Sequence, residues 1–419
     1  MLSVLLAVAV LGHGFVPAAW AGGLWMYERG TPEVGTANAG VAARAEDASI
    51  AASNPAGMSR LDKAEIMLGL QPVITDVKFA PGPGTTTTGP TGDGSVVLPV
   101  TGFYYVQPLG KDWRVGLSLG SYMGLGVKYE DDWVGRYYVQ ESALITLDVA
   151  PTISYRVNDW LSIGGGPVFQ YAYLKTTAAV NNVLPLGAPD GQLEYKADSF
   201  GFGGAGGILV EPWKGTRFGL TYMSPIKQEF KDAPTFSNLA PINSNLAARL
   251  GEVKIRMTMP QAVMFSAYHQ LTENWAVMGN LGWQNWTKFG YTPISVSDNA
   301  GATVNTTKNA NFDDTFHVAV GAHYRFHPKW RVTAGFAYDS SPVSDTNRTV
   351  ALPLDRTFRY SAGLIWDLNE RITMGLAYTF LDAGSAPVNE TRGPLSGTIQ
   401  GDYSSNYYNI VALYLGMRF

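Results

Sequence analysis

Two histidines and two aspartates lie close together in this chain. His317 and His323 stand six residues apart in FHVAVGAHYRF, and Asp313-Asp314 precede them in NFDDTF. An even separation puts both imidazoles on one face of a strand, and an Asp/His pair is a general acid–base unit. A hydrolase needs more, namely a nucleophile within reach of the base and a group that orients it. No serine lies at a recognisable motif, cysteine is absent, and the chain has five histidines in all. Polar residues lining an interior explain the pair better, so no catalytic residue, cofactor or metal site is expected. Without cysteine neither disulfides nor thiolate–metal sites are available. A formal charge of −4 from 30 basic and 34 acidic residues argues against a nucleic-acid partner.

The elements that must position these residues are long and alternating. In RITMGLAYTF (371–380) and WRVTAGFAYD (330–339), large apolar residues alternate with small or polar ones, the period of a strand with two different faces. Scanning the chain this way gives fourteen candidate strands, near 66–79, 95–107, 113–129, 142–156, 160–175, 199–211, 216–230, 252–269, 275–289, 312–326, 330–339, 356–367, 371–382 and 406–419. Short connections such as QPLGKDW, VNDW and FHPKW alternate with long polar ones: 80–94, 130–141, 176–198, 231–251, 290–311, 340–355 and 383–405. Charged residues make up 15% and aromatics 12%, against roughly 25% charged in soluble domains. Trp113, Trp160, Trp213, Trp275 and Trp330 sit at or beside the short turns, where an interfacial girdle belongs. Many of these strands are longer than the five or six residues usual in a sandwich. The pattern predicts an all-β fold, a 14-stranded antiparallel transmembrane β-barrel over 62–419, in a Gram-negative outer membrane.

Ahead of the barrel stand two segments that do not alternate. MLSVLLAVAVLGHGFVPAAWA (1–21) has an apolar stretch and an Ala-x-Ala end, the form of a signal peptide. Residues 22–61 follow, with nine alanines and no aromatic residue between Thr36 and Ala56. Small side chains let short helices pack closely, so this segment is expected to fill the lumen as a small helical plug. Asn54-Pro55 stops it, because proline disfavours helix at the preceding residue and lacks a donor.

Several stretches resemble the FadL/TodX outer-membrane transporters of long-chain fatty acids and other hydrophobic compounds. They are SNPAGM, APTISYRVNDWLSIGGGPVFQYAYLK (150–175), EPWKGTRFGLTYMSP (211–225) and PKWRVTAGFAYDSSPVSDTNRTVALPLDRTFRYSAGL (328–364). The resemblance spans essentially the whole mature chain. It implies a fourteen-stranded barrel with a hatch containing Asn54, Pro55 and Ala56, and a mobile N-terminus at Gly22, Gly23 and Leu24 beside an interior pocket. Substrate is then captured among the extracellular loops, bound in the lumen and released sideways through a kink in the third strand. Here that strand reads WRVGLSLGSYMGLGVKY, and the kink is expected across Leu119, Gly120, Ser121 and Gly124, since glycine weakens strand pairing.

For the ligand's carboxylate, the resemblance implies Lys308, in TTKNANFDD just before the tenth strand. The position of a second basic residue in the fifth strand is taken by Tyr173, with Lys175 two residues on and on the same face. That departure leaves room for neutral or aromatic hydrocarbons. A general porin would keep a water-filled lumen, and a barrel hydrolase would need the missing nucleophile. The expected partners are a hydrophobic small molecule, outer-membrane lipid and lipopolysaccharide, and the barrel-assembly machinery, which reads a C-terminal strand ending in Phe419. The barrel is expected to be a monomer.

Overall fold

A computed structural model of the chain describes residues 25–27, 29–182 and 187–419. The leader at 1–21 and the expected mobile terminus, Gly22, Gly23 and Leu24, lie outside the described residues.

Fourteen antiparallel strands form a closed wall. They are β1 (Glu65–Pro81), β2 (Val97–Leu109), β3 (Trp113–Gly120, resuming as Gly124–Lys128), β4 (Glu141–Arg156), β5 (Leu161–Val180), β6 (Gly191–Trp213) and β7 (Thr216–Met223, then Ile226–Asp232). The second half comprises β8 (Leu250–Met259, then Ala262–Gln270), β9 (Trp275–Gln284, then Tyr291–Asp298) and β10 (Thr303–Asn309, then Thr315–His327). It ends with β11 (Trp330–Asp339), β12 (Thr357–Asp367), β13 (Ile372–Asp382) and β14 (Thr398–Arg418). The last strand pairs with the first, from Glu65↔Arg418 to Pro81↔Gly401. Closure removes the free edges that lipid does not tolerate.

Alternation in sequence becomes alternation in burial. On β1, Leu68, Leu70 and Ile74 are exposed, whereas Met67 and Val73 face inward and are buried. Exposed apolar side chains in such rows suit hydrocarbon. Near the short turns Trp113, Trp160, Trp213 and Trp275 are also exposed, and Trp330 stacks on Trp366 with centroids 5.2 Å apart.

Several connections expected to be loops are partly strand. β5 and β6 run on to Val180 and back from Gly191, paired throughout, within the span expected as loop 176–198. Likewise 290–311 holds the hairpin of Tyr291–Asp298 and Thr303–Asn309. Beyond the membrane, pairing needs only the backbone ladder, so polar sequence does not stop it.

The wall is broken in two places. β3 is interrupted between Gly120 and Gly124. The outer portions of β7 to β10 separate from the barrel into a four-stranded sheet of their own. Pro225 and Pro260 stand at two of these breaks, where a missing N–H ends the ladder.

Residues 29–61 lie inside the wall and are buried almost throughout. Three short helices order them: Pro32–Thr36, Ile50–Ser53 and Pro55–Arg60. Small residues on both sides allow backbone to approach backbone. A Cβ on Gly219 of β7 would stand 1.9 Å from the Ala42 carbonyl oxygen, and one on Gly335 of β11 would stand 2.0 Å from that of Thr36.

Candidate binding and exit site

Asn54 ties the inner segment to the wall. Fully buried, its Nδ2 donates to the Ala42 carbonyl at 2.7 Å and to the Ile208 carbonyl of β6 at 3.1 Å. Its Oδ1 accepts from the Ala56 N–H at 3.2 Å. Pro55 then starts the next helical turn, where its lack of an N–H is harmless. A second tie is ionic. Glu46 meets Arg44 at 3.2 Å, Arg331 of β11 at 3.0 Å and Arg217 of β7 at 3.6 Å. Burial alone would raise the Glu46 pKa, but Arg44, Arg331 and Arg217 outweigh it and hold the carboxyl well below its usual range.

At the β3 break the chain turns inward and finds new partners. The Met26 N–H donates to the Tyr122 carbonyl at 2.8 Å, and Trp25 forms a single antiparallel bridge with Met123. The Tyr122 N–H donates to Asp148 Oδ2 at 3.0 Å, and its hydroxyl donates to the Ala52 carbonyl at 3.0 Å. The Met123 N–H donates to Thr146 Oγ1 at 3.2 Å. The Arg29 guanidinium lies 4.8 Å from the Tyr122 ring centre. Hence the backbone groups freed at the break are capped by side chains of β4 and by the N-terminal segment, as burial in an apolar wall requires. Sequence patterns do not single out Asp148 or Thr146. The one available signal is an inward-facing carboxylate in the apolar strand ALITLDVAP.

The glycines at this break are not sterically required. A Cβ on Gly124 would meet nothing within 4 Å, and one on Gly120 nothing nearer than 3.7 Å. The strand breaks within the span expected for the kink, and Asp148, Thr146 and the N-terminal segment cap its loose backbone groups. Leu119 still pairs with Phe103 and Val149, while Ser121 Oγ donates to the Met123 carbonyl at 2.8 Å.

Behind the break lies an interior cavity of about 70 Å³ lined by Trp25, Met26, Tyr27, Arg29, Pro55, Tyr122, Met264 and Gln284 among others. Ligand pockets usually hold roughly 300–1,000 Å³, so this space is smaller than such a ligand needs. Tyr27 is held by two side chains of the wall. Its ring stacks on His317 at 4.3 Å, and its hydroxyl accepts from Gln284 Nε2 at 2.6 Å.

His317 has Asp339 as its partner, Nδ1 to Oδ1 at 2.9 Å, with Arg359 on the same carboxylate. Asp314 is spent on Asn285 and Thr287, so the carboxylate beside His317 is Asp339 and not Asp314. His323 is buried beside the Tyr268 ring. His317 is thus held in a polar group with Asp339 and Arg359, while its Nε2 and the Nδ1 of His323 are buried without a hydrogen-bond partner among the described residues.

Lys308 lies on the outer part of β10, opposite Thr292, a buried residue. That register places Lys308 on the sheet's inward face, above the apolar cluster containing Trp286, Phe289, Ile294 and Phe312. Burial pushes its pKa down to about 7, Arg392 adds repulsion, and Glu390 opposes both. Tyr173 and Lys175 are placed otherwise. On β5 they share the outward face of Phe169, while Gln170, Ala172 and Leu174 are buried. Lys175 pairs with Glu141 at 2.7 Å. Strand parity keeps both from the lumen, so the expected second ligand contact in β5 does not form.

The family model described as "Outer membrane protein transport protein (OMPP1/FadL/TodX)" matches residues 15–419. The long-chain fatty acid transport protein of Escherichia coli strain K12 is 25% identical over 419 residues, covering 91% of this chain and 92% of that protein. Outer membrane protein P1 of Haemophilus influenzae (strain Rd) is 26% identical over 407 residues, covering 87% of each. Among solved structures, a Pseudomonas aeruginosa FadL homologue superposes with a TM-score of 0.82 at 20% identity, covering 93% of this chain and 98% of that one. The P. putida toluene transporter TodX gives 0.66 at 18% identity, covering 88% and 93%. A closed fourteen-stranded wall and a match across nearly its whole length place this chain in the OMPP1/FadL/TodX family of outer-membrane transport proteins.

Proposed function

We infer that the protein takes up hydrophobic small molecules, long-chain fatty acids foremost, and delivers them sideways into the outer membrane through the β3 break. The observation that carries this reading is the pairing of Trp25 and Met26 with Tyr122 and Met123. One segment covers the break and lines the interior cavity, so a ligand that displaces it opens both. Residues 22–61 act as the hatch, with Asn54, Pro55 and Ala56 holding it to the wall while the lid moves. Gly22, Gly23 and Leu24 would move with the lid.

Physical chemistry favours the lateral route. An apolar molecule gains free energy by leaving water, roughly 0.8 kcal/mol per buried CH₂, and axial release into the periplasm would forfeit that. Lys308 fits the carboxylate end, since its partly discharged ammonium gains from a fixed anion. The names of the relatives point to fatty acids in one case and toluene in another. The inward cation favours the carboxylate here, with neutral arenes as the alternative cargo. The C-terminal strand ending in Phe419 serves the barrel-assembly machinery, and a wall whose last strand pairs with its first suits a monomer.

The test is a reversible lock. The chain has no cysteine, so Trp25→Cys with Met123→Cys supplies the sole thiols, at an antiparallel pair whose Cα spacing of about 4.5–5.5 Å suits a disulfide. Oxidation is expected to stop fatty-acid uptake while surface binding persists, and reduction to restore it. Normal uptake by the oxidised protein would show that cargo leaves another way.

A further inference from the structure

The second break in the wall has a different character from the first. Residues 205–213 of β6 pair with β7, and 192–194 pair with Thr235–Ser237. Between them, 195–203 have no ladder partner on that side among the described pairings. The outer part of β7 has moved inward behind β6. A Cβ on Gly201 would stand 2.5 Å from the Lys227 carbonyl oxygen, and one on Gly203 would stand 2.7 Å from Ser224 Oγ. The displacement leaves a recess of about 690 Å³ on the outer surface of the barrel, along the four-stranded sheet.

Its lining joins two chemistries. Phe200 on β6 rims the recess and Phe202 follows it, at 78% and 79% exposure the most exposed large apolar side chains among the described residues. Against them stand Lys227, Arg256 and Lys288, with Asp198 and Glu229 as the opposing charges. Arg256 is engaged by Glu229 at 2.7 Å. Lys227 and Lys288 make no ion pair with any described carboxylate. The height is fixed by neighbours in the same strands. Toward the short turns, Leu220, Tyr222, Phe265 and Phe316 of the same strands are exposed, so the recess lies between that apolar row and the long connections. An unpaired strand edge belongs near polar headgroups, since hydrocarbon does not satisfy its backbone groups.

We propose that this recess binds the phosphorylated headgroup of an outer-leaflet glycolipid, with Lys227 and Lys288 on phosphate and the acyl chains lying along Phe200 and Phe202. Two ammonium groups facing outward beside exposed aromatic rings match a ligand that is anionic at one end and apolar at the other. Along 195–203 the N–H groups that point away from β5 add donors suited to phosphate or sugar oxygens.

The experiment is native mass spectrometry of the full-length protein in detergent, titrated with bisphosphorylated lipid A or with lipid A stripped of both phosphates. Wild type is expected to retain the bisphosphorylated form at least ten-fold better than the stripped one. Lys227→Ala with Lys288→Ala should abolish that preference. Lys231→Ala, on the same strand but ion-paired with Glu252, should keep it, and heat-modifiability on gels should be unchanged in all. Equal retention of the two lipids by wild type overturns the proposal, as does an unaltered preference in the double variant. Displacement by millimolar inorganic phosphate would show a simple anion site and also overturn it. Uptake through the β3 break is read separately by the disulfide lock, so failure here leaves that reading standing.

Discussion

Two breaks interrupt the same wall, and they differ in what fills them. At β3 the loose backbone is capped from inside, by Asp148, Thr146 and the Trp25–Met26 segment. At β7–β10 the strands stay paired to one another as a separate sheet and step inward together, leaving charged side chains on the outside. The first break can open only if its cap leaves, because hydrocarbon does not tolerate bare backbone groups. The second needs no lid if, as proposed, polar headgroup atoms reach its unpaired backbone while acyl chains cover Phe200 and Phe202. Under the proposed function the first break is a gate, and under the further proposal the second is a fixed surface, both from the same loss of ladder pairing.

The comparison can be broken most forcefully by deletion. Removing residues 22–61 is expected to raise single-channel conductance at least ten-fold while the barrel still folds and heat-modifies. Trimming the hairpin tip at 299–302 of the outer sheet should leave conductance unchanged. An equal effect of both would erase the distinction between gate and surface.

Next in size is the hatch anchor. Asn54→Ala leaves the buried carbonyls of Ala42 and Ile208 without their donor, at about 2–3 kcal/mol. Faster hydrogen exchange across 40–60, with the outer sheet unaffected, is the expected readout. Acid should act on the same seat. Glu46 has a depressed pKa in the folded protein, so its contribution is complete above the unfolded value of about 4.5. It is lost only as pH falls below that toward the folded value, and channel opening in bilayers at low pH, suppressed by salt bridges surviving above pH 5, would report it.

Lys308 sharpens the picture of cargo. Lys308→Ala should weaken fatty-acid binding by about 1.5–3 kcal/mol, the scale of a charge-assisted hydrogen bond, and leave a neutral arene nearly unaffected. With the free pKa pushed down to about 7, the ammonium is charged below that pH and mostly neutral above it. A carboxylate favours the charged form, so binding takes up a proton and affinity should fall as pH rises above 7. Calorimetry in buffers of different ionisation enthalpy measures that uptake.

The smallest effect is expected at the β3 glycines. Gly124→Ala meets no neighbour and should change thermal stability by less than about 0.5 kcal/mol. Gly207→Ala would drive a methyl to 2.1 Å from Asn54 Oδ1 and should loosen the hatch. If Gly124→Ala instead closes the break and stops uptake, glycine makes the kink after all.

The sequence by itself determined the wall. Period-two alternation is a local property, and it gave the strand count, the long and short connections, and the faces toward lipid and lumen. The burial of residues 29–61 inside the wall follows a run of alanines ending at Asn54-Pro55, whose small side chains suit a confined space. Tertiary structure decided the rest, because it depends on residues far apart in sequence. Asp148 and Thr146 become caps only when β4 lies beside a break in β3, and Met26 reaches Tyr122 only once the hatch is folded inside. Tyr173 and Lys175 turn outward because strand parity is set by the packing of their neighbours, which the family pattern does not reveal. The recess beside Phe200 is written in no motif. It exists because four consecutive strands leave the ladder together, and a ladder belongs to pairs of strands, not to either one alone.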